Sequence, residues 1–139
     1  MSKPRIAFIC IRNSCRSQIA EAFGHTLAGD VFTSCSAGTE IATELDRGAV
    51  RIMKNVYGID MAAAGQKNKT LDQLPPLDGL ITMGCGVQCP VHPAKWKRNW
   101  DLVDPVGKSD ALYLAVIQEI KERVMALKME MERRGKDGY

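Results

Sequence analysis

Cys10 and Arg16 are separated by five residues, Ile11, Arg12, Asn13, Ser14 and Cys15, and Ser17 follows at once. A thiolate is a nucleophile. A guanidinium presents two parallel donors that match the edge of a tetrahedral oxyanion. A short loop between the two residues would turn successive backbone N–H groups inward as an anion nest. A helix starting at Ser17 would add the partial positive charge and unpaired donors of its N-terminus. The same field favours the thiolate form of Cys10, so one loop would both hold an anion and activate the atom that attacks it. The whole segment Ile11–Ser17 is therefore the candidate substrate-binding loop. The plainer alternative is a buried cysteine at a strand end beside a surface arginine. Position at the first strand-to-helix turn favours the chemical reading.

That position rests on the elements around the loop. Arg5–Ile9 is an apolar run with the look of a buried strand. Ile19, Ala20, Phe23 and Leu27 recur at helical spacing, which predicts a first helix with one buried face, stopped near Gly29. Val31–Ser36 reads as a second strand. Thr43-x-x-Asp46 resembles a capping box for a second helix, with Leu45, Ala49, Ile52, Met53 and Val56 as its core face and Gly58 as its stop. Residues 61–76 have no clean period, and Pro75-Pro76 blocks regular structure. Leu77–Met83 reads as a third strand that leads into Gly84-Cys85 and on to Cys89-Pro90. A short fourth strand is expected near Trp100–Val103, just before Asp104-Pro105. A last helix is expected from about Ser109 to Met131, with a frayed polar tail from Arg133. Strands alternating with helices imply parallel pairing, and ligands in such sheets sit beyond the carboxyl ends of the strands. The expected fold class is α/β: one domain over residues 1–139, with a four-stranded parallel sheet and helices on both faces.

Composition narrows the function classes. The chain has 139 residues, 45% hydrophobic and 25% charged, with a net charge of +3. No apolar run approaches the roughly 20 residues of a membrane span, so no membrane association is expected. The charge is too small to argue for nucleic acid, and Lys95-Trp96-Lys97-Arg98 reads as a solvated loop. The five cysteines are an odd number, and a cytoplasmic location with free thiols is expected rather than a disulfide framework. Cys85, Cys89 and His92 have the spacing of zinc ligands, but a fourth ligand is missing, so no metal is assigned. Cys15 and Cys35 read as structural, and His25 as a surface residue.

Cys10-x5-Arg16-Ser17 near the start and Asp104-Pro105 late in the chain resemble the low-molecular-weight protein tyrosine phosphatase fold. The chain departs from those enzymes in having Val106 rather than tyrosine after Asp-Pro, Gln18 where they tend to have proline, and only 6% aromatic residues. Asn13–Glu21, Ser36-Ala-Gly-Thr-Glu40, Thr82-Met-Gly-Cys85, Cys89-Pro90 and Trp100-x-Leu-x-Asp-Pro-x-Gly107 are together similar to the thioredoxin-coupled arsenate reductases built on that fold. Arg12 is unusual where that family often has glycine or histidine.

The resemblance implies a mechanism. Arsenate would bind the loop amides and Arg16, Cys10 would attack arsenic, and Asp104 would protonate the departing oxygen. Cys85 would attack Cys10 and free arsenite, Cys89 would attack Cys85, and thioredoxin would reduce the Cys85–Cys89 disulfide. Asn13 and Ser17 would hold the loop and the thiolate by hydrogen bonds. Two electrons must come from somewhere, and a relay of thiols supplies them without a cofactor. The implied partners are arsenate and thioredoxin, acting on a monomer. The competing readings are a phosphatase using Cys10, Arg16 and Asp104, and a redox sensor or zinc module without turnover.

Overall fold

A computed structural model describes residues 3–40, 44–84 and 92–136. The described residues form, in order, β1 (Arg5–Cys10), α1 (Arg16–Ala28), β2 (Thr33–Gly38), α2 (Arg47–Tyr57), β3 (Leu77–Thr82), β4 (Ala94–Asn99) and α3 (Asp110–Lys136). A 3-10 turn, Leu71–Gln73, precedes β3. The sheet order is β2-β1-β3-β4 with every pairing parallel. The expected four-stranded parallel α/β sheet is what forms.

β1 is central and buried from Ile6 to Cys10. Its alternating side chains feed two cores, as the strand period requires. Ile6, Phe8 and Cys10 join the larger core, built with side chains of α1, α2 and α3. Ala7 and Ile9 join the smaller one, which Leu71 and Leu74 cover. Among the described residues α1, α2 and α3 share the larger core, and the 3-10 turn packs against the smaller one.

Several elements differ from the sequence reading. The fourth strand is Ala94–Asn99, not Trp100–Val103. The Lys95-Trp96-Lys97-Arg98 run is therefore sheet, not loop, and its exposure alternates as an edge strand's does. Trp96 lies flat over Gly79 of β3, where an added Cβ would come within 2.2 Å of the indole. Arg98 stacks 4.6 Å from the Trp96 ring and pairs with Glu130 on α3. Helix α2 is capped by Asp46 itself, whose side chain accepts from Ala49 N at 3.0 Å, so Asp46 is the cap and not the third residue of a capping box; Thr43 lies outside the described residues. Gly58 does end that helix in the left-handed conformation, φ 71°. Ala49, Ile52 and Met53 are buried as expected, but Val56 is exposed. The last helix continues through Lys136, past the expected fraying point.

The first helix departs most instructively. Arg16 through Gly24 are all buried, not one face of them. Helix α1 is packed between the sheet and α3 rather than lying on the surface, so its polar residues Arg16, Ser17, Gln18 and Glu21 are interior groups. Buried polar groups must find partners inside the protein, and the partners they find build the site.

Candidate active site

The carboxyl end of β1 delivers Cys10, and the loop returns as α1 at Arg16. Backbone bonds tie this loop to its surroundings. Thr39 N donates to Cys10 O and Glu40 N to Ile11 O from the end of β2, and Asp46 N donates to Ser14 O from the start of α2. Asn13 takes a left-handed conformation, φ 55°, which asparagine tolerates better than most residues. Gly38 passes so close that an added Cβ would sit 2.8 Å from Asn13 N and Ile11 O.

Ile11, Arg12, Ser14, Cys15, Arg16 and Cys10 line one cavity, joined by Glu44, Leu45, Asp46 and Arg47 from the approach to α2 and by Asp104 and Val106 from the far side. Cys10, Arg16 and Asp104, far apart in sequence, are therefore brought together. Cys10 is 4% exposed, and its sulfur lies 2.8 Å from Ser17 Oγ. Asn13 Nδ2 donates to that same Ser17 oxygen at 2.9 Å. Asn13 and Ser17 are fully buried and stand behind the loop rather than among the residues that line the cavity.

Arg16 is fixed from below. Its Nη1 donates to Met83 O and Leu102 O, each at 3.0 Å. Its Nη2 lies 4.0 Å from Asp104 Oδ2. Gly84 completes this floor: its φ of 132° suits glycine alone, and a Cβ there would meet Leu102 O at 2.5 Å and Arg16 Nη1 at 3.0 Å. Asp104 is more than half exposed at the rim, and its Oδ1 accepts from Val106 N at 3.1 Å, the local turn that an Asp-Pro pair favours. Cys85 and Cys89 lie outside the described residues; Gly84 is the last described residue before them.

Other titratable groups divide into two sets. Burial pushes the Cys15 thiol well above its ordinary value, reinforced by the Asp46, Cys10 and Asp104 charges and opposed by Arg16. Cys15 is thereby a neutral thiol in the loop wall. Burial likewise raises Cys35, to about 11. Tyr113 donates to Asp46 Oδ2 at 2.7 Å, and burial together with that bond raises its phenol. Burial pushes the Glu21 carboxyl upward, but His25, Lys69 and Ser36 outweigh it and hold the carboxyl below its ordinary 4.5. His25 is thus half-exposed but paired, 3.8 Å from Glu21. His92 contacts Pro75 O at 3.1 Å. Among the described residues no group of three or more histidine, cysteine or carboxylate side chains is placed to hold a metal, and no helix is long and apolar enough to cross a membrane.

Sequence reasoning missed the amides behind the loop. Gln18, fully buried, donates to Asn13 O and Asn13 Oδ1 and to Lys67 O. Its unusual identity was visible in the sequence, but its burial followed only from the interior position of α1.

The chain matches the low molecular weight phosphotyrosine protein phosphatase family over residues 5–137. Arsenate reductase 1 of Staphylococcus epidermidis is 37% identical over 89% of this chain and 95% of that protein. The glutaredoxin arsenate reductase of Synechocystis sp. is 34% identical over 86% of this chain and 92% of that protein. The chain belongs to the phosphatase family, in its arsenate reductase branch. Solved structures agree. An arsenate reductase in a phosphate-binding state superposes with a TM-score of 0.82 at 33% identity, covering 92% of this chain and 98% of that one. A thioredoxin-dependent arsenate reductase of Corynebacterium glutamicum gives 0.74 at 30% identity, covering 94% of this chain and 62% of that one.

Proposed function

We propose that this single-domain chain reduces arsenate to arsenite with Cys10 as nucleophile, and that thioredoxin regenerates it through Cys85 and Cys89. The Cys10 sulfur held 2.8 Å from Ser17 Oγ in a cavity that Arg16 and Asp104 also line supports the nucleophile, and the observation that carries reduction rather than hydrolysis is the likeness to arsenate reductases over most of the chain. Loop amides and Arg16 bind three oxygens of the oxyanion. Cys10 forms a sulfur–arsenic bond as one oxygen leaves, and Asp104, on the exposed side of the cavity, gives that oxygen its proton. Cys85 then attacks Cys10. The sulfur–arsenic bond breaks with its electron pair moving to arsenic, so arsenic(V) leaves as arsenic(III) and a Cys10–Cys85 disulfide remains. Cys89 attacks Cys85, restores Cys10 and leaves a Cys85–Cys89 disulfide for an external dithiol. The scheme uses no metal or organic cofactor and needs one copy of the chain, acting in the cytoplasm.

The thioredoxin assignment is supported by the Corynebacterium neighbour, while the Synechocystis relative carries glutaredoxin in its name. Turnover of purified protein with arsenate, thioredoxin, thioredoxin reductase and NADPH tests both halves of the proposal. NADPH oxidation dependent on arsenate and thioredoxin supports it. Turnover only with glutaredoxin and glutathione moves the electron donor. Hydrolysis of an aryl phosphate with no arsenate reduction by either donor overturns it in favour of a phosphatase.

A further inference from the structure

Behind Asn13 and the anion loop lie two further amides, Gln18 and Gln66, that no step above uses. Lys69 N donates to Asn13 Oδ1 at 2.7 Å. A backbone N–H can only donate, so this contact fixes which end of the Asn13 amide is oxygen. The nitrogen end must then face Ser17, and it does, 2.9 Å from Ser17 Oγ. Because that oxygen accepts from Asn13, the hydroxyl hydrogen is left for the Cys10 sulfur at 2.8 Å. The chain of bonds therefore has one polarity, and it ends as a donor on the thiol that must ionise. A donor to the charged form favours that form.

Gln18 is fixed by the same logic from the opposite group. Lys67 O can only accept, and Gln18 Nε2 donates to it at 2.8 Å. That nitrogen is also 2.9 Å from both Asn13 O and Asn13 Oδ1. Gln18 Oε1, turned the other way, accepts from Gln66 Nε2 at 2.8 Å. The segment 66–69 thus sets the orientation of two buried amides in succession. We propose that Gln18, oriented by Gln66 and the backbone of residues 67–69, is a positioning residue that holds Asn13 so that Ser17 donates to the Cys10 sulfur. It touches neither substrate nor sulfur and acts only through Asn13 and Ser17. The proposal rests on Cys10 as the nucleophile, but not on arsenate turnover.

The test reads Cys10 ionisation directly. The rate of Cys10 alkylation by iodoacetamide, followed on its own peptide by mass spectrometry, is measured against pH. Gln18→Met keeps the volume and removes the donors. It leaves every charged group around the cavity in place: Arg12, Arg16, Arg47, Glu44, Asp46 and Asp104. The alkylation midpoint should rise by about half a pH unit or more, the direction expected when a donor to the thiolate is weakened. In a Ser17→Ala background the same substitution should move the midpoint no further. An unchanged midpoint in folded Gln18→Met overturns the proposal. A shift of equal size in the Ser17→Ala background also overturns it, because the effect would then bypass Ser17. If Gln18→Met does not fold by circular dichroism, Gln66→Met is judged by the same two outcomes. Alkylation needs no arsenate, so failure here and failure of the reductase reading are told apart.

Discussion

Replacing Arg16 by lysine separates charge from geometry. The guanidinium already spends Nη1 on two carbonyls, Met83 O and Leu102 O, at 3.0 Å each. This anchoring holds the plane of the group, so Nη2 is presented on the side where Asp104 stands 4.0 Å away. An ammonium has three donors on one atom and no plane. Placed to serve the two carbonyls, it keeps at most one donor for an oxyanion; placed to serve the oxyanion, it abandons a buried carbonyl. The loss of one charge-assisted hydrogen bond is worth about 1.5–3 kcal/mol, which converts to a weakening of about 10- to 150-fold. Titration calorimetry of arsenate or sulfate into the two proteins at fixed ionic strength measures this. Equal affinities would refute the reasoning and place the anion elsewhere. Thermal unfolding in the absence of anion gives a second reading. Arg16 is 4% exposed, and a carbonyl left unmet costs about 1–3 kcal/mol, so the variant should also melt earlier.

Asp104→Asn should leave oxyanion affinity within a few-fold and slow arsenite release in a single turnover by roughly 100-fold, the usual reach of a general acid; an unchanged rate removes Asp104 from that role. Cys89→Ser should release about one arsenite per protein and stall with Cys10 joined to Cys85 on peptide mapping; normal turnover with thioredoxin contradicts the relay. Glu21, whose carboxyl is held below its ordinary value, contributes stability that is present above that value and lost as pH falls through the lowered one. Glu21→Gln should therefore flatten the acid limb of a plot of stability against pH and leave its shape above pH 6 alone; an identical acid limb would show that the carboxylate contributes nothing. Gly84→Ala should cost about 1–3 kcal/mol from its backbone conformation alone and weaken oxyanion binding too, since its Cβ would press on Leu102 O and Arg16; wild-type melting and affinity would mean that the floor adjusts freely.

The sheet and the loop were legible because both are local patterns. Apolar runs and helical spacing place β1, α1, β3 and most of α3, and the strand-to-helix turn places Cys10 and Arg16 together without further information. The misplaced β4 shows where composition misleads. Lys95, Lys97 and Arg98 look like a solvated loop by charge, yet Lys95 and Lys97 alternate with Trp96, and an edge strand tolerates lysine on its open side. Trp96 needed β3 to offer a bare glycine opposite it, and that complementarity between Gly79 and Trp96 is long-range. The same holds for Gln18. Nothing in an apolar period says that the polar positions of α1 are also interior; that follows from the helix being packed against both the sheet and α3. The cap of α2 was misread because Thr43 and Asp46 both belong to the residue types that cap, and only the backbone decides between them.

In the proposed scheme the loop and Asp104 would supply what the first step of either hydrolysis or reduction needs: a thiolate, a cradle for three oxygens, and a proton for a fourth. They are therefore neutral between a phosphatase and an arsenate reductase. The two activities part at what meets the Cys10 adduct next, water in one case and a second thiolate in the other. A Cys10→Ser variant should abolish both and so decide nothing between them. A Cys85→Ser variant decides, because it removes the thiolate proposed to attack while leaving Cys10, Arg16 and Asp104 in the sequence. It should release little arsenite and yet retain whatever aryl phosphate hydrolysis the wild type has. If it loses both in a folded protein, Cys85 supports the site's structure rather than carrying electrons, and the second thiolate must be sought in an external thiol.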